Sequence, residues 1–164
     1  MNAAQEDRPV PYMERTRHYY RALGYEHDYV WATFAEVPFA RFAKPLATTR
    51  LALITTASPP GLANRDSRGV RHVWSGEVTP PPPTLFTGNL AWDKESTHTD
   101  DRGCYLPIEA AAGLAAEGIF SGLAARFHGV PTEYSQRKTM GEDAPELLAR
   151  LRADGADGAI LCAL

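Results

Sequence analysis

Nine consecutive polar residues, Asp93-Lys-Glu-Ser-Thr-His-Thr-Asp-Asp101, form the most chemically loaded stretch of the chain. Such density is hard to justify by folding alone. His98, Asp100 and Asp101, with Asp93 beside them, could bind a metal, tune a histidine as general base or hold a cationic substrate. The same residues also suit a solvated acidic loop with Asp100 or Asp101 capping a turn. Their spacing matches no helical His-x-x-x-His or other known metal pattern. A second polar stretch, 127–137, gathers a histidine, hydroxyls and Arg137. That guanidinium could grip a carboxylate bidentately, as an amino-acid or betaine substrate requires, though an arginine in a loop is also a common surface charge. Thr55 and Thr56 end an apolar run and precede Ser58-Pro-Pro-Gly61, either a substrate lip of hydroxyls and freed backbone N–H groups or a solvated turn. This turn lacks the G-x-G-x-x-G of a dinucleotide site and the G-x-x-x-x-G-K of a P-loop. Cys162 lies inside the last apolar run, where strand alternation could turn it into the core, and buried cysteine is usually inert.

These residues need elements to position them. Val10, Met13, Arg17, Tyr20 and Leu23 recur at helical spacing, and Gly24 follows as a stop, so the sequence predicts a helix over 9–23 with an aromatic face for core packing or a ligand. Residues 1–8 are polar and frayed, and 25–48 reads as a long aromatic-rich loop suited to a partner surface. A buried strand is predicted at 50–56, a long loop over 57–83 with a short strand at 70–74, and another strand at 85–92. Pro80 to Pro83 is a stiff polyproline spacer. An alanine-rich helix follows at 108–117, stopped by Gly118, then a short helix at 119–126. Asp143 is read as the N-cap of a further helix, with Pro145 in its first turn, Leu147, Leu148 and Leu151 on its buried face, and Gly155 at its end. The final run, 158–164, reads as a buried strand, laid parallel to 50–56 by the crossover helix. The expected fold is a single three-layer α/β domain over 1–164, with a short, mostly parallel, Rossmann-like sheet whose C-terminal part is missing. Ligands of such sheets sit beyond the carboxyl ends of the strands, the position the chain reaches at Leu164.

Composition narrows the classes of function. The 164 residues are 44% hydrophobic and 23% charged, with a net charge of -3. There is no basic patch for nucleic acid, no span for a membrane and no signal peptide, so the expectation is a cytoplasmic protein. Cys104 and Cys162 match no zinc motif and read as two reduced thiols, with a structural bridge as the alternative.

A collinear series of motifs carries a resemblance: Tyr12-Met-Glu-Arg15, the run from Leu51 to Thr56, Trp92-Asp-Lys94, Thr97-His-Thr-Asp-Asp101, Tyr105-Leu-Pro-Ile108, Gly129-Val-Pro-Thr-Glu-Tyr-Ser-Gln-Arg137, Asp143-Ala-Pro145 and Asp154-Gly-Ala-Asp157. Over 10–164 the chain resembles the selenoprotein B family of glycine, sarcosine, betaine and D-proline reductases. Members of that family continue past the strand matching 158–164 into a selenocysteine or cysteine, then Pro, a variable residue and Cys.

The resemblance implies a selenolate or thiolate that attacks the α-carbon of a small amine or amino-acid-like substrate. The amine is displaced and the carbon–selenium adduct is resolved by thiol chemistry. It further implies a pyruvoyl-type or thiol-carrier partner subunit and no cofactor of the chain's own. By their polarity and place in the chain, not by the resemblance, His98 and Asp101 are read as orienting the reacting groups, and Asp93, Asp100, Tyr134, Arg137, Thr55 and Thr56 as binding substrate. Cys162 would be the nearest thiol. The codon after Leu164 is expected to be an in-frame UGA, leaving this chain inactive until extended, with apolar surface on its last strand free for self-association. Two alternatives stay open: a non-catalytic binding subunit without the nucleophile, and a metal-dependent hydrolase using His98, Asp100 and Asp101.

Overall fold

The computed structural model describes residues 11–28, 30, 32–37, 40–90, 99–132 and 135–164. They fall into two compact units, Met1–Pro38 and Phe39–Leu164. In the first, helix α1 (Tyr12–Ala22) ends as predicted. The N–H of Tyr25 reaches back to the Tyr20 carbonyl and that of Gly24 to Arg21, a Schellman closure sealed by the Tyr20 and Tyr25 rings, 5.4 Å apart. Arg21 grips Asp28 with both ends of its fork. The aromatic face predicted for a core buries none of its described residues, because the described residues of this unit form no sheet for an eleven-residue helix to pack on.

The second unit is a small α/β domain built on strand β1 (Arg50–Thr55). Four consecutive apolar residues, Leu51 to Ile54, have no polar face to offer water, so the strand takes the centre of the sheet and is buried on both sides. Strands β2 (Trp74–Glu77), β3 (Gly122–Leu123), β4 (Arg126–Gly129) and β5 (Gly158–Cys162) assemble around it. On one flank β5 runs parallel to β1 over its whole length, in the register Leu51 to Gly158 through Thr55 to Cys162. On the other flank β3 pairs parallel with the start of β1 and β4 with its end. Antiparallel β2 closes that edge. One face carries the core, where Leu51, Leu53, Phe127 and Tyr105 pack under helix α2 (Ile108–Ala116). Over the other face runs a helical crossing: α3 (Gln136–Lys138), a π-turn (Thr139–Asp143) and α4 (Ala144–Ala153). No helix among the described residues is long and apolar enough to cross a membrane.

Several sequence expectations are corrected. The predicted short helix at 119–126 is instead β3 and the start of β4: Gly118 at φ 79° ends α2, and pairing with β1 overrides the local helical preference of Leu123, Ala124 and Ala125. The predicted strand at 70–74 begins only at Trp74. That at 85–92 reduces, among its described residues, to a bridge between Phe86 and Ser58, because a turn at Thr87–Leu90 ends the pairing. Asp143 does not cap a helix. Its backbone is helical, the cap belongs to Ser135, whose hydroxyl accepts from the Lys138 N–H, and Asp143 is 3% exposed. The intervening π-turn has a local cause: Pro145 has no N–H to give the Gly141 carbonyl, and its ring crowds the preceding turn, so that turn widens.

Leu147, Leu148 and Leu151 do not form a buried face either. The residues of α4 that bond toward the sheet are polar, so the leucines are left half-buried or exposed. Finally, β5 is not a buried strand. It stands at the edge, with Ile160 and Leu161 exposed at 42% and 59%. Asp157 sews its entry to β1, its carboxylate accepting from the Arg50 N–H at 2.8 Å and from Lys44 Nζ at 2.7 Å.

Candidate functional site

The three parallel strands β4, β1 and β5 end together, and their carboxyl ends form a rim. Residues paired in register on parallel strands project to the same face, so Cys162 lies beside Thr55. Thr55 is fully buried, and its hydroxyl accepts from the Ala57 N–H at 3.1 Å, turning the chain at the strand end. The Thr56 hydroxyl faces the other way along the rim and accepts from the Leu164 N–H at 2.9 Å. Thr132, just past β4, donates its hydroxyl to the Thr56 carbonyl, and Arg71 ties the Thr132 carbonyl from outside. Three of the residues singled out in sequence, Thr55, Thr56 and Cys162, are therefore brought together.

The remaining sequence candidates are placed differently. Asp100 and Asp101 are exposed. They join the rim at second remove, through Thr99 hydrogen-bonded to Thr87 and the Phe86 bridge to Ser58. Asp101 caps the short turn Arg102–Cys104, accepting from the Gly103 N–H at 2.7 Å, as the solvated-loop alternative anticipated. Arg137 is exposed on α3. Asp93, His98 and Tyr134 lie outside the described residues. Among the described residues no three His, Cys, Asp or Glu side chains gather as a metal site. A hollow of about 390 Å³ borders α2, β2 and β3, but half of its lining residues are alanine, and Glu77 is the one ionisable group among them.

Cys104 and Cys162 are both free thiols, against the alternative of a bridge between them. Burial pushes the Cys162 thiol above its ordinary value of 9.0, so at neutral pH it is held as the weakly nucleophilic thiol. Cys162 is therefore expected to react with iodoacetamide at pH 7.5 several-fold more slowly than exposed Cys104, the gap narrowing as pH rises. Equal rates at pH 7.5, followed by mass spectrometry of the two peptides, would contradict the half-buried placement of Cys162.

A second constellation escaped sequence analysis. His128, with no exposed surface, faces the helical crossing from the middle of β4. Its Nδ1 is 2.9 Å from the hydroxyl of Ser75, its cross-strand partner on β2. Its Nε2 is 3.0 Å from Asp154 Oδ2, though off the line of a well-formed hydrogen bond. Asp154, directly after α4, is held by Arg126 through a bidentate fork whose shorter arm is 2.6 Å. Arg150, one turn earlier, donates to the Ser75 hydroxyl at 2.9 Å and to Glu146. Arg126 keeps the Asp154 carboxyl below its ordinary range, and burial lowers His128.

Serine, histidine and aspartate in a row are the parts of a nucleophilic relay. Here Arg150 covers the serine oxygen and the imidazole is sealed from solvent, so the set acts as a clamp fixing α4 to the sheet. Glu146, Arg150 and Asp154 are spaced at i, i+4 and i+8, so one helix stripe carries every α4-side contact of this clamp. That spacing was the one available sequence signal. The chain matches no protein-family model, no curated protein and no solved structure.

Proposed function

We propose that the chain is a component of a C–N-cleaving reductase of the selenoprotein B type, and that the rim binds its small amine or amino-acid-like substrate. The observation that supports this most is the Thr55–Cys162 register together with the Leu164 N–H on the Thr56 hydroxyl. The Leu164 N–H bond brings this stretch of chain to the Thr56 hydroxyl, beside the carboxyl ends of β1 and β4. A chalcogenide there, where the family resemblance puts it, would have hydrogen-bond donors around it to favour the anion. In the reaction its electron pair forms the bond to the substrate α-carbon while the C–N bond breaks toward the amine, which leaves with the pair and takes up a proton. The raised Cys162 thiol fits a neighbour of the reacting atom better than the reacting atom itself. Two unpaired thiols suit a reducing cytoplasm, and the uncovered apolar edge of β5 is surface available to a partner subunit or a second copy.

The test is a titration of isotopically labelled protein with glycine, sarcosine, betaine and D-proline, following the amides of Thr55, Thr56, Ala57, Cys162 and Leu164. At least one ligand should give saturable shifts, and Thr56→Val should weaken it by about tenfold, the worth of one hydrogen bond. No saturable shift at the rim with any of the four would sink the proposal. The raised thiol also favours a second reading, a binding subunit with no nucleophile of its own. It predicts the same binding but no transfer of the substrate carbon to the protein, even when the chain is extended by a cysteine.

A further inference from the structure

We infer that Asp143 is the residue that recognises the amine of the substrate; this rests on the rim being the ligand site. Its side chain is 4% exposed, and one oxygen, Oδ1, accepts from Lys138 Nζ at 2.7 Å. The other oxygen, Oδ2, is closed to solvent and has no hydrogen-bond partner among the described residues. A buried carboxylate oxygen without a donor is costly, and native chains rarely keep one without a use. Its height in the fold supplies the use. The crossing links parallel strands β4 and β5 and so runs back along the sheet, ending where Asp154 meets Arg126 and His128 of β4. From the end of α4 to Asp143 is about 15 Å of helix at 1.5 Å per residue. From Leu51 to Thr55 is about 13 Å of strand at 3.3 Å per residue. Asp143 therefore stands toward the rim end of the crossing, on the α4 side of the sheet. The π-turn contributes as well, because a widened turn re-aims its side chains and such turns recur at functional sites.

An ammonium group suits Oδ2 because it brings charge-assisted N–H donors to an acceptor that has none. Lys138 already binds the neighbouring oxygen with an ammonium of its own, and its partly exposed side chain is the one that swings to admit the ligand. Discrimination then follows from chemistry. A ligand with an amine should gain from Asp143, and the same ligand with the amine replaced by hydrogen or hydroxyl should not.

The experiment compares dissociation constants of glycine, acetate and glycolate for the wild-type chain, for Asp143→Asn and for the double variant Lys138→Met/Asp143→Leu. The double variant replaces the buried pair with apolar side chains and guards against a folding failure caused by stranding Lys138. Glycine should weaken at least tenfold in whichever variant is folded, while acetate and glycolate stay within twofold. Glycine binding within twofold of wild type, or equal weakening of all three ligands, would overturn the assignment while leaving the rim as a ligand site. If the wild-type chain binds none of the three, nor any ligand of the rim titration, the rim proposal itself falls and Asp143 falls with it.

Discussion

Replacing Gly129 with alanine is expected to destabilise the chain by about 3 kcal/mol or more, at or above the upper end of what overpacking a core costs. Gly129 ends β4, paired with Thr55 on one side and Trp74 on the other. The Trp74 indole lies across it so closely that an added Cβ would sit 1.8 Å from Nε1 and 2.2 Å from Cε2. A flexible side chain could step aside, but the indole cannot. Its edge is set against the Phe127 ring, centroids 5.4 Å apart and planes 87° to one another. The Phe127 ring in turn covers Gly76, where a Cβ would come within 2.5 Å of its Cζ. Two glycines and two aromatics thus interlock across β2 and β4, and pushing one ring displaces the next. Because a domain is held by only about 5–15 kcal/mol, the variant should show a large drop in urea midpoint or fail to accumulate folded. Trp74→Ala should relieve most of the clash, so the double variant should be more stable than the sum of the single losses implies. A loss below about 1 kcal/mol for Gly129→Ala would mean that the indole is not seated as described.

That interlock was invisible in the sequence, whereas β1 was plain. An uninterrupted apolar run of four residues needs two covered faces whatever its neighbours are, so Arg50–Thr55 could be read locally. The stops at Gly118 and Gly155 were equally local, since each is the left-handed residue that closes a helix. From these followed the parallel pairing of β5 with β1, and from the pairing the meeting of Thr55, Thr56 and Cys162. The rest depends on register. Leu123-Ala-Ala-Arg126 favours a helix in isolation and instead joins the end of β3 to the start of β4 only because β1 offers an edge to pair with. His128 looked like part of a polar loop until pairing with β2 set it against a serine 53 residues away. Asp143 looked like a cap because Pro145 so often follows one. The structure resolves that proline with a π-turn instead and turns the carboxylate inward.

The clamp at His128 gives the second large effect. Asp154→Ala is expected to cost about 2–3 kcal/mol, because it strips a sealed imidazole of its nearest carboxylate and Arg126 of its partner. The cost stays below that of a fully buried pair because the Arg126 side chain is 37% exposed and can rehydrate. The pH dependence separates the two roles of the aspartate. Burial lowers the folded pKa of His128 from its ordinary 6.5, while the charge of Asp154 opposes that shift. A histidine with a lowered folded value is protonated first in the unfolded chain. Its contribution is therefore intact above about pH 6.5 and is lost as pH falls from there toward the folded value. Asp154 works lower on the scale. Its carboxyl is depressed from 3.8 by Arg126, so its own contribution persists above that value and is lost as pH falls through the folded one. Removing Asp154 deletes what raises His128, so the histidine's folded value should fall further. The variant should then lose more stability between pH 7 and pH 5 than the wild type does, on top of its deficit at pH 8. Urea midpoints at pH 8, 6.5 and 5 measure both effects, with His128→Leu as the background that should flatten the response. A pH response between 7 and 5 that is unchanged by Asp154→Ala would show that the carboxylate steadies only Arg126, and the polar clamp on α4 would then be held from Arg150 and Ser75 alone.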